Sequence, residues 1–305
     1  MTAEWNRLRE KSVWDESQVR EWADVAREAQ KAGKEVNFGY LFGICVEKNS
    51  EPPAGHPKRK FKGRVVFQGN RVTNQNWEAA IFQDLGSCLA TVEVSKAAGC
   101  YGLSPGFAVE IADAEQAYIQ AALTGTPCWV CLPPEARPDG WAKYKKPVVP
   151  LLKALYGHPD SGTMWEKHCD RHVKSVGFKP VGEEWASCYF HSELRVFLVI
   201  YVDDFEMAGP KDNLCKGWSL LRKGLVIENP VPVGVYLGCG HEEGTVKLGN
   251  VTARTMTYNM EDFLGSCVDR YLELAGPGLK LKKVPTPFLV EDQNESPQRA
   301  PSHDG

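Results

Sequence analysis

Seven apolar residues, Val196 to Val202 (VFLVIYV), run directly into Asp203-Asp204, and Phe205 to Ala208 resumes the run. An unbroken apolar stretch of this length, rich in β-branched and aromatic residues, reads as a strand buried on both faces. Two carboxylates in its path can be accommodated only at a turn, so the segment predicts a hairpin closed by acidic residues. A second strand, Phe107 to Ala112, also ends on an aspartate, Asp113. If the two strands are neighbours, three carboxylates converge at one sheet edge. Converging carboxylates repel and call for cations. Hard oxygen donors with few other partners suit Mg²⁺, with Mn²⁺ as a substitute. Plainer readings stay open: Asp-Asp is a common turn pair, and Asp113 could cap a helix with Gln116 completing a capping box.

Around these strands the pattern alternates between helix and strand. Residues 3–11 and 16–32 have helical spacing, with Val19, Trp22, Val25, Ala26 and Ala29 on one face and Gly33 as a stop. Phe38 to Val46 and Phe61 to Gln68 read as two arms of a hairpin across a Pro- and Gly-rich loop. The second arm is basic: His56 to Arg64 reads HPKRKFKGR. A helix is expected over 85–98 with Gly99 as its stop, and a turn or helix over 114–123. A strand over 128–132 and a helix from Ser161 or Thr163 to Gly177 follow. A further hairpin joins 233–238 to 245–248, a late helix carries Phe263, Cys267 and Tyr271, and the tail from Gln293 is polar.

Composition narrows the class without deciding it. With 43% hydrophobic and 25% charged residues in 305, the chain has an ordinary globular make-up. A net charge of −3 does not by itself suggest a nucleic-acid binder, so the local basic arm matters more than the sum. The 10 cysteines are scattered and are read as reduced and mostly buried. The Cys128–Cys131 pair lacks a second pair at zinc spacing, and His168 with His172 lacks the Glu of a zinc helix. Met1 to Glu10 is no signal peptide, and no apolar run reaches membrane-span length. An intracellular protein without a membrane role is the expectation.

Six segments in order carry a resemblance. Tyr201-Val202-Asp203-Asp204 is similar to the YVDD box of reverse transcriptases, and Asp113-Ala114-Glu115-Gln116-Ala117-Tyr118 to their first-aspartate motif. Lys153-Ala154-Leu155-Tyr156-Gly157, with Trp165 downstream, resembles a segment of copia-type elements. Lys60 to Val66 resembles their fingers strand, Tyr236-Leu237-Gly238 their "F-L-G" hairpin, and Pro285-Thr286-Pro287 the "T-P" closing the block. The chain departs from the pattern at His158-Pro159-Asp160, where a Lys and a Gln are replaced by Pro159 and Asp160. An acidic residue at Asp160 would weaken phosphate binding unless it points away as the cap of the next helix.

The resemblance implies the polymerase part of a copia-type (Ty1-like) retrotransposon reverse transcriptase. The implied fold is α+β: a right-hand polymerase with an antiparallel palm sheet, fingers and a thumb-like C-terminal part. Helices and fingers would occupy 1–105, the palm 106–245 with a fingers insertion over about 124–160, the thumb-like region 246–290, and a disordered tail 291–305. The implied partners are an RNA template, a DNA primer and deoxynucleoside triphosphates. Asp113 and Asp203 would hold two Mg²⁺ ions, with Asp204 as the supporting carboxylate. The ions would activate a primer 3′-hydroxyl and stabilise the leaving pyrophosphate. Tyr118 matches the ring under the incoming sugar, and Tyr201 flanks the same nucleotide site. Lys62 and Arg64 match the cations that meet the triphosphate, while Lys58, Arg59 and Lys60 are placed near template phosphates or solvent. A half-buried core role for Tyr118 and a solvated charge run for the lysines remain alternatives. The implied location is cytoplasmic, in virus-like particles. Protease, integrase and RNase H parts are not found, so the chain is expected to be one fragment of an element. A catalytically inactive nucleic-acid-binding remnant of that fold is the second reading.

Overall fold

Helix α1 (Thr2–Glu10) buries Trp5 and Leu8, three residues apart and so on one face. The expected helix over 16–32 is broken in two. Asp15 accepts from the Ser17 N–H and closes a short 3-10 turn, Glu16–Gln18. Strand β1 (Arg20–Glu21) follows, and only Trp22–Ala32 is helix, α2. The cause is local. The Glu21 carboxylate accepts the backbone N–H groups of Lys145 and Lys146, which commits the residues before Trp22 to a strand pair. Gly33 ends α2 in the left-handed region, as expected. The computed structural model describes residues 1–48, 59–82, 90–182, 184–276, 278–279 and 281.

Strands β2 (Asn37–Lys48) and β3 (Lys60–Phe67) form the expected basic hairpin, in register from Leu41↔Phe67 to Lys48↔Lys60. Its connecting loop and Lys58 lie outside the described residues, as do 83–89 with Cys88, the Pro285-Thr286-Pro287 segment and the tail. Strand β4 (Thr73–Asn74) pairs with the start of β2. Helix α3 (Val92–Gly102) does not stop at Gly99. A Cβ there would strike the Tyr258 hydroxyl, so this glycine serves close packing rather than termination.

Strands β5 (Phe107–Asp113), β6 (Cys128–Cys131) and β7 (Pro147–Pro150) precede helix α4 (Ser161–Ser175). Asp160 is the N-cap residue of α4. Then come β8 (Lys179–Pro180), β9 (Cys188–His191), β10 (Val196–Tyr201) and β11 (Asp204–Pro210). Helix α5 (Lys211–Leu221) follows, which the apolar pattern did not single out, and then β12 (Val231–Pro232). Strands β13 (Val235–Tyr236), β14 (Cys239–Leu248) and β15 (Val251–Asn259) form a small antiparallel sheet. The expected pairing of 233–238 with 245–248 is corrected. Tyr236 pairs with Cys239 across a tight turn, and residues 245–248 belong to the long strand β14.

Two larger sheets carry the core. One runs β1-β7-β6-β2-β3, with β4 on β2. The central sheet runs β12-β5-β11-β10-β9-β8. One of its faces, with Val196, Leu198, Ile200, Phe205 and Met207, packs with Trp165 and Cys169 of α4 and Leu214 and Trp218 of α5. The other, with Val109, Phe197, Val199 and Ala208, packs with Val94 and Ala98 of α3. Burial on both faces is why the strand sequences are continuously apolar.

The chain divides into two units, Met1–Tyr258 and Asn259–Gly305. In the second, Asn259 Oδ1 accepts the Glu261 N–H at the start of helix α6 (Glu261–Ala275). Among the described residues no helix is long and apolar enough to cross a membrane. The described cysteines are all free, but not mostly buried: Cys128, Cys131, Cys169 and Cys188 are inside, while Cys45, Cys100, Cys215 and Cys267 are exposed.

Candidate active site

The acidic hairpin turns on two residues, Val202 and Asp203, because Tyr201 pairs with Asp204. Asp204 is therefore the first residue of β11 rather than part of the turn. Val202 sits at φ +57°, a left-handed backbone that a β-branched residue rarely adopts. Two hydrogen bonds hold the turn: the Trp165 indole N–H donates to the Val202 carbonyl (2.7 Å), and the Ala114 N–H to the Asp203 carbonyl (2.7 Å). Backbone strain of this kind survives only where surroundings over-determine it, and such positions cluster at functional sites.

The apolar strands that end in aspartate are not direct neighbours. Strand β11 lies between β5 and β10 and is antiparallel to each, so β5 and β10 run parallel to one another. This still brings the carboxylates together. Asp204 stands opposite Asp113 in the β11–β5 register. By the two-residue alternation of a strand, Asp113, Asp204 and Tyr201 project to the face of the sheet that packs on α3. Burial pushes the Asp204 carboxyl up to about 6, and the nearby Asp203 and Asp113 add to the shift. Asp113 is no helix cap. The chain instead turns through Gln116 at φ +51° into a 3-10 helix, Ala117–Gln120, that carries Tyr118.

A cleft of about 520 Å³ is lined by Asp113, Tyr118, Asp203, Lys62 and Arg64, together with Tyr156. Five of the seven expected site residues therefore share one space. Asp204 and Tyr201 do not line it. Asp113 and Asp203 are exposed in it, and Tyr118 is partly buried. Burial raises the Tyr118 hydroxyl above its ordinary range, and Asp203 and Tyr156 raise it further. Lys62 and Arg64 are two residues apart and so share a face of β3. The Arg64 guanidinium lies 5.3 Å from the centre of the Tyr156 ring, and the Tyr118 and Tyr156 rings are 6.0 Å apart.

Tyr156 is delivered by the chain on either side of it. Its carbonyl accepts the Phe67 N–H (2.8 Å), and Gly157 at φ +89° lies so close to the Phe67 carbonyl that no Cβ would fit. Sequence reasoning had Tyr156 only as a letter in a motif. It had no signal at all for Glu4, Arg7 and Glu228, which also line the cleft. Nor did it mark Glu206, which is fully buried with no hydrogen-bond partner for either carboxylate oxygen. Burial pushes Glu206 up to about 7, eased only by the nearby Ser95 side chain.

Among the described residues no group of three His, Cys, Asp or Glu forms a cage for a metal ion. Burial holds the Cys128 thiol of the Cys128–Cys131 pair protonated. Mg²⁺ commonly takes one or two carboxylates and fills its shell with waters and phosphate oxygens. Asp113 and Asp203, both exposed in the cleft, are carboxylates of the kind such an oxygen-only shell uses.

No curated protein matches the sequence significantly. A family model described as reverse transcriptase (RNA-dependent DNA polymerase) matches residues 52–256, which span the basic strand β3, the acidic hairpin and every residue of the cleft named above except those of α1. With two thirds of its length in that match, and both β3 and the acidic hairpin inside it, the chain belongs to the reverse transcriptase family.

Proposed function

We propose that this chain is the polymerase domain of a copia-type retrotransposon reverse transcriptase, extending a DNA primer along an RNA template with deoxynucleoside triphosphates. The observation that carries the reading is the shared cleft, in which the carboxylates of Asp113 and Asp203 meet the cations of Lys62 and Arg64 beside Tyr118. On this reading the central sheet is the palm and the basic hairpin belongs to the fingers. Asp113 and Asp203 would hold two Mg²⁺ ions, with Asp204 supporting from the adjacent strand. When bound, the ions supply a lowered hydroxyl pKa at the nucleophile and charge neutralisation at the leaving phosphate. Lys62 and Arg64 bind the triphosphate and offset its charge as it shifts onto the leaving group. The Tyr118 ring lies under the sugar and excludes a 2′-hydroxyl. Tyr201, paired with Asp204, backs the hairpin rather than the nucleotide. The location in cytoplasmic particles follows from the family likeness alone.

The inactive-remnant reading keeps one specific observation in its favour: Pro159, which lines a space with Tyr118 and Tyr156, stands where the family pattern has a cation. Primer extension on an RNA template with Mg²⁺ decides between the two. The parent should incorporate deoxynucleotides and Asp203→Asn should not, while remaining folded by circular dichroism. A folded parent that binds primer–template without extending it would establish the remnant.

A further inference from the structure

A second aromatic and cationic surface lies away from the carboxylates. Trp22 opens α2 and is buried, at 1% exposure. Its indole stacks on Phe38 on one side (4.2 Å, 18°) and on Trp77 (5.2 Å, 13°). Trp77 ends this three-ring stack and is 58% exposed. An indole that costs hydrophobic free energy in water is here also held at φ +69°, a backbone bulky residues rarely accept. The loop that presents it is built for the purpose. The Asn74 side chain accepts the N–H groups of Asn76 (2.8 Å) and Glu78 (3.1 Å), and the Trp77 N–H donates to the Asn74 carbonyl (3.1 Å).

Cations surround the stack. Lys146 Nζ lies 3.3 Å from the Trp22 ring centre, 4.8 Å from that of Trp77 and 5.3 Å from that of Tyr40. Arg71 lies 5.6 Å from the Tyr40 ring. The carboxylate of Glu21 is turned onto the backbone N–H groups of Lys145 and Lys146. The surface also continues toward the cleft: Arg71 belongs to the turn Gly69–Arg71, and a Cβ at Gly69 would touch the Gly157 carbonyl next to Tyr156.

A rigid exposed ring flanked by cations is the general recipe for holding single-stranded nucleic acid. Any base can stack on the ring, and the phosphates find the cations. We infer that Trp77, backed by Trp22 and Phe38, is a stacking platform for unpaired bases of a single strand, with Lys146 and Arg71 holding its phosphates. Trp22 and Phe38 come from chain that precedes the family match, so the platform is not a property of the matched region alone. Binding here does not depend on polymerase activity.

Fluorescence anisotropy of labelled twelve-nucleotide oligo-dT and oligo-rU with the full chain tests it. Trp77→Ala should weaken binding roughly tenfold, or about 1.4 kcal/mol, within the range of one base–aromatic stack. Trp77→Phe should recover most of that loss, because a ring and not the indole N–H is required. Lys146→Gln should flatten the dependence of log affinity on log salt by about 0.7, the value for one phosphate contact on a single strand. Loss on both oligonucleotides makes the platform sugar-blind, and loss on oligo-rU alone assigns it to template. Unchanged affinity of folded Trp77→Ala for both strands would overturn the inference. Primer extension by the parent is read separately, so failure of the platform and failure of the polymerase reading remain separate results.

Discussion

The two hairpins that line the cleft are built by opposite means. In the acidic one, β10 and β11 are buried along nearly their whole length and joined by two residues. In the basic one, the part of β3 that carries Lys60, Phe61 and Lys62 is exposed, and only its end from Val65 to Phe67 is buried. Burial on both faces fixes register, because a one-residue slip would turn every side chain to the wrong face. Asp203 and Asp204 are therefore placed by packing, to within the tolerance of a core. Lys62 and Arg64 are placed by an arm held at one end, with Arg64 steadied by the Tyr156 ring. Groups that must share small ions need the first kind of support. Groups that meet a long polyphosphate can work from the second.

The largest expected difference between the hairpins is catalytic. Asp113→Asn should lower the rate of nucleotide incorporation by about a thousandfold or more, roughly 4 kcal/mol, with little change in nucleotide KM. Arg64→Ala should lose about ten- to a hundredfold, mainly as a raised KM that grows with ionic strength. Steady-state primer extension at two salt concentrations separates the two. Comparable losses with the same KM signature would end the distinction drawn above.

Next in size is a stability effect inside the buried hairpin. Glu206 has a folded pKa of about 7, above its ordinary 4.5. The folded state thus binds the proton more tightly than the unfolded one. Its contribution is fully retained below pH 4.5 and is lost as pH rises through 7. Glu206→Leu should accordingly be more stable than the parent by on the order of 2 kcal/mol at pH 8, and the gap should close toward pH 4.5. Urea melts across that range measure it. A pH-independent gap would mean that packing, not charge, sets the difference.

Smaller again is the support of the strained turn. Trp165→Phe keeps the ring and removes the indole N–H that bonds the Val202 carbonyl. It should cost about 1 kcal/mol in stability, yet reduce incorporation more than that loss of folded protein explains. The Mg²⁺ response comes last. The ion should raise the Tm of the parent by a few degrees and that of Asp203→Asn by less, since binding to the folded state stabilises it by mass action. Equal responses in differential scanning calorimetry would remove Asp203 from the proposed metal site.

The sequence by itself determined the two hairpins, the strand before Asp113, and the family, because apolar runs and turn residues act over a few positions. Asp113 and Asp203 were legible from the apolar strands before them, Lys62, Arg64 and Tyr118 only through the family resemblance, and the cleft gathers all five. Strand order was decided only in three dimensions. Nothing local says that β11 inserts between β5 and β10, or that Asp113 faces Asp204 rather than the end of β10. The break in the 16–32 helix was hidden for the same reason, since the groups that stop it, the N–H donors of Lys145 and Lys146, lie more than a hundred residues away. Gly99 looked like a helix stop until Tyr258 arrived beside it. Trp77 carried no signal in the sequence. Its stack on Trp22 and the Lys146 ammonium across both rings exist only because the β1–β7 pair carries Lys146 to the start of α2. Local preference fixes which residues can form an element; which elements meet is set by the burial of their faces, and that is a property of the whole chain.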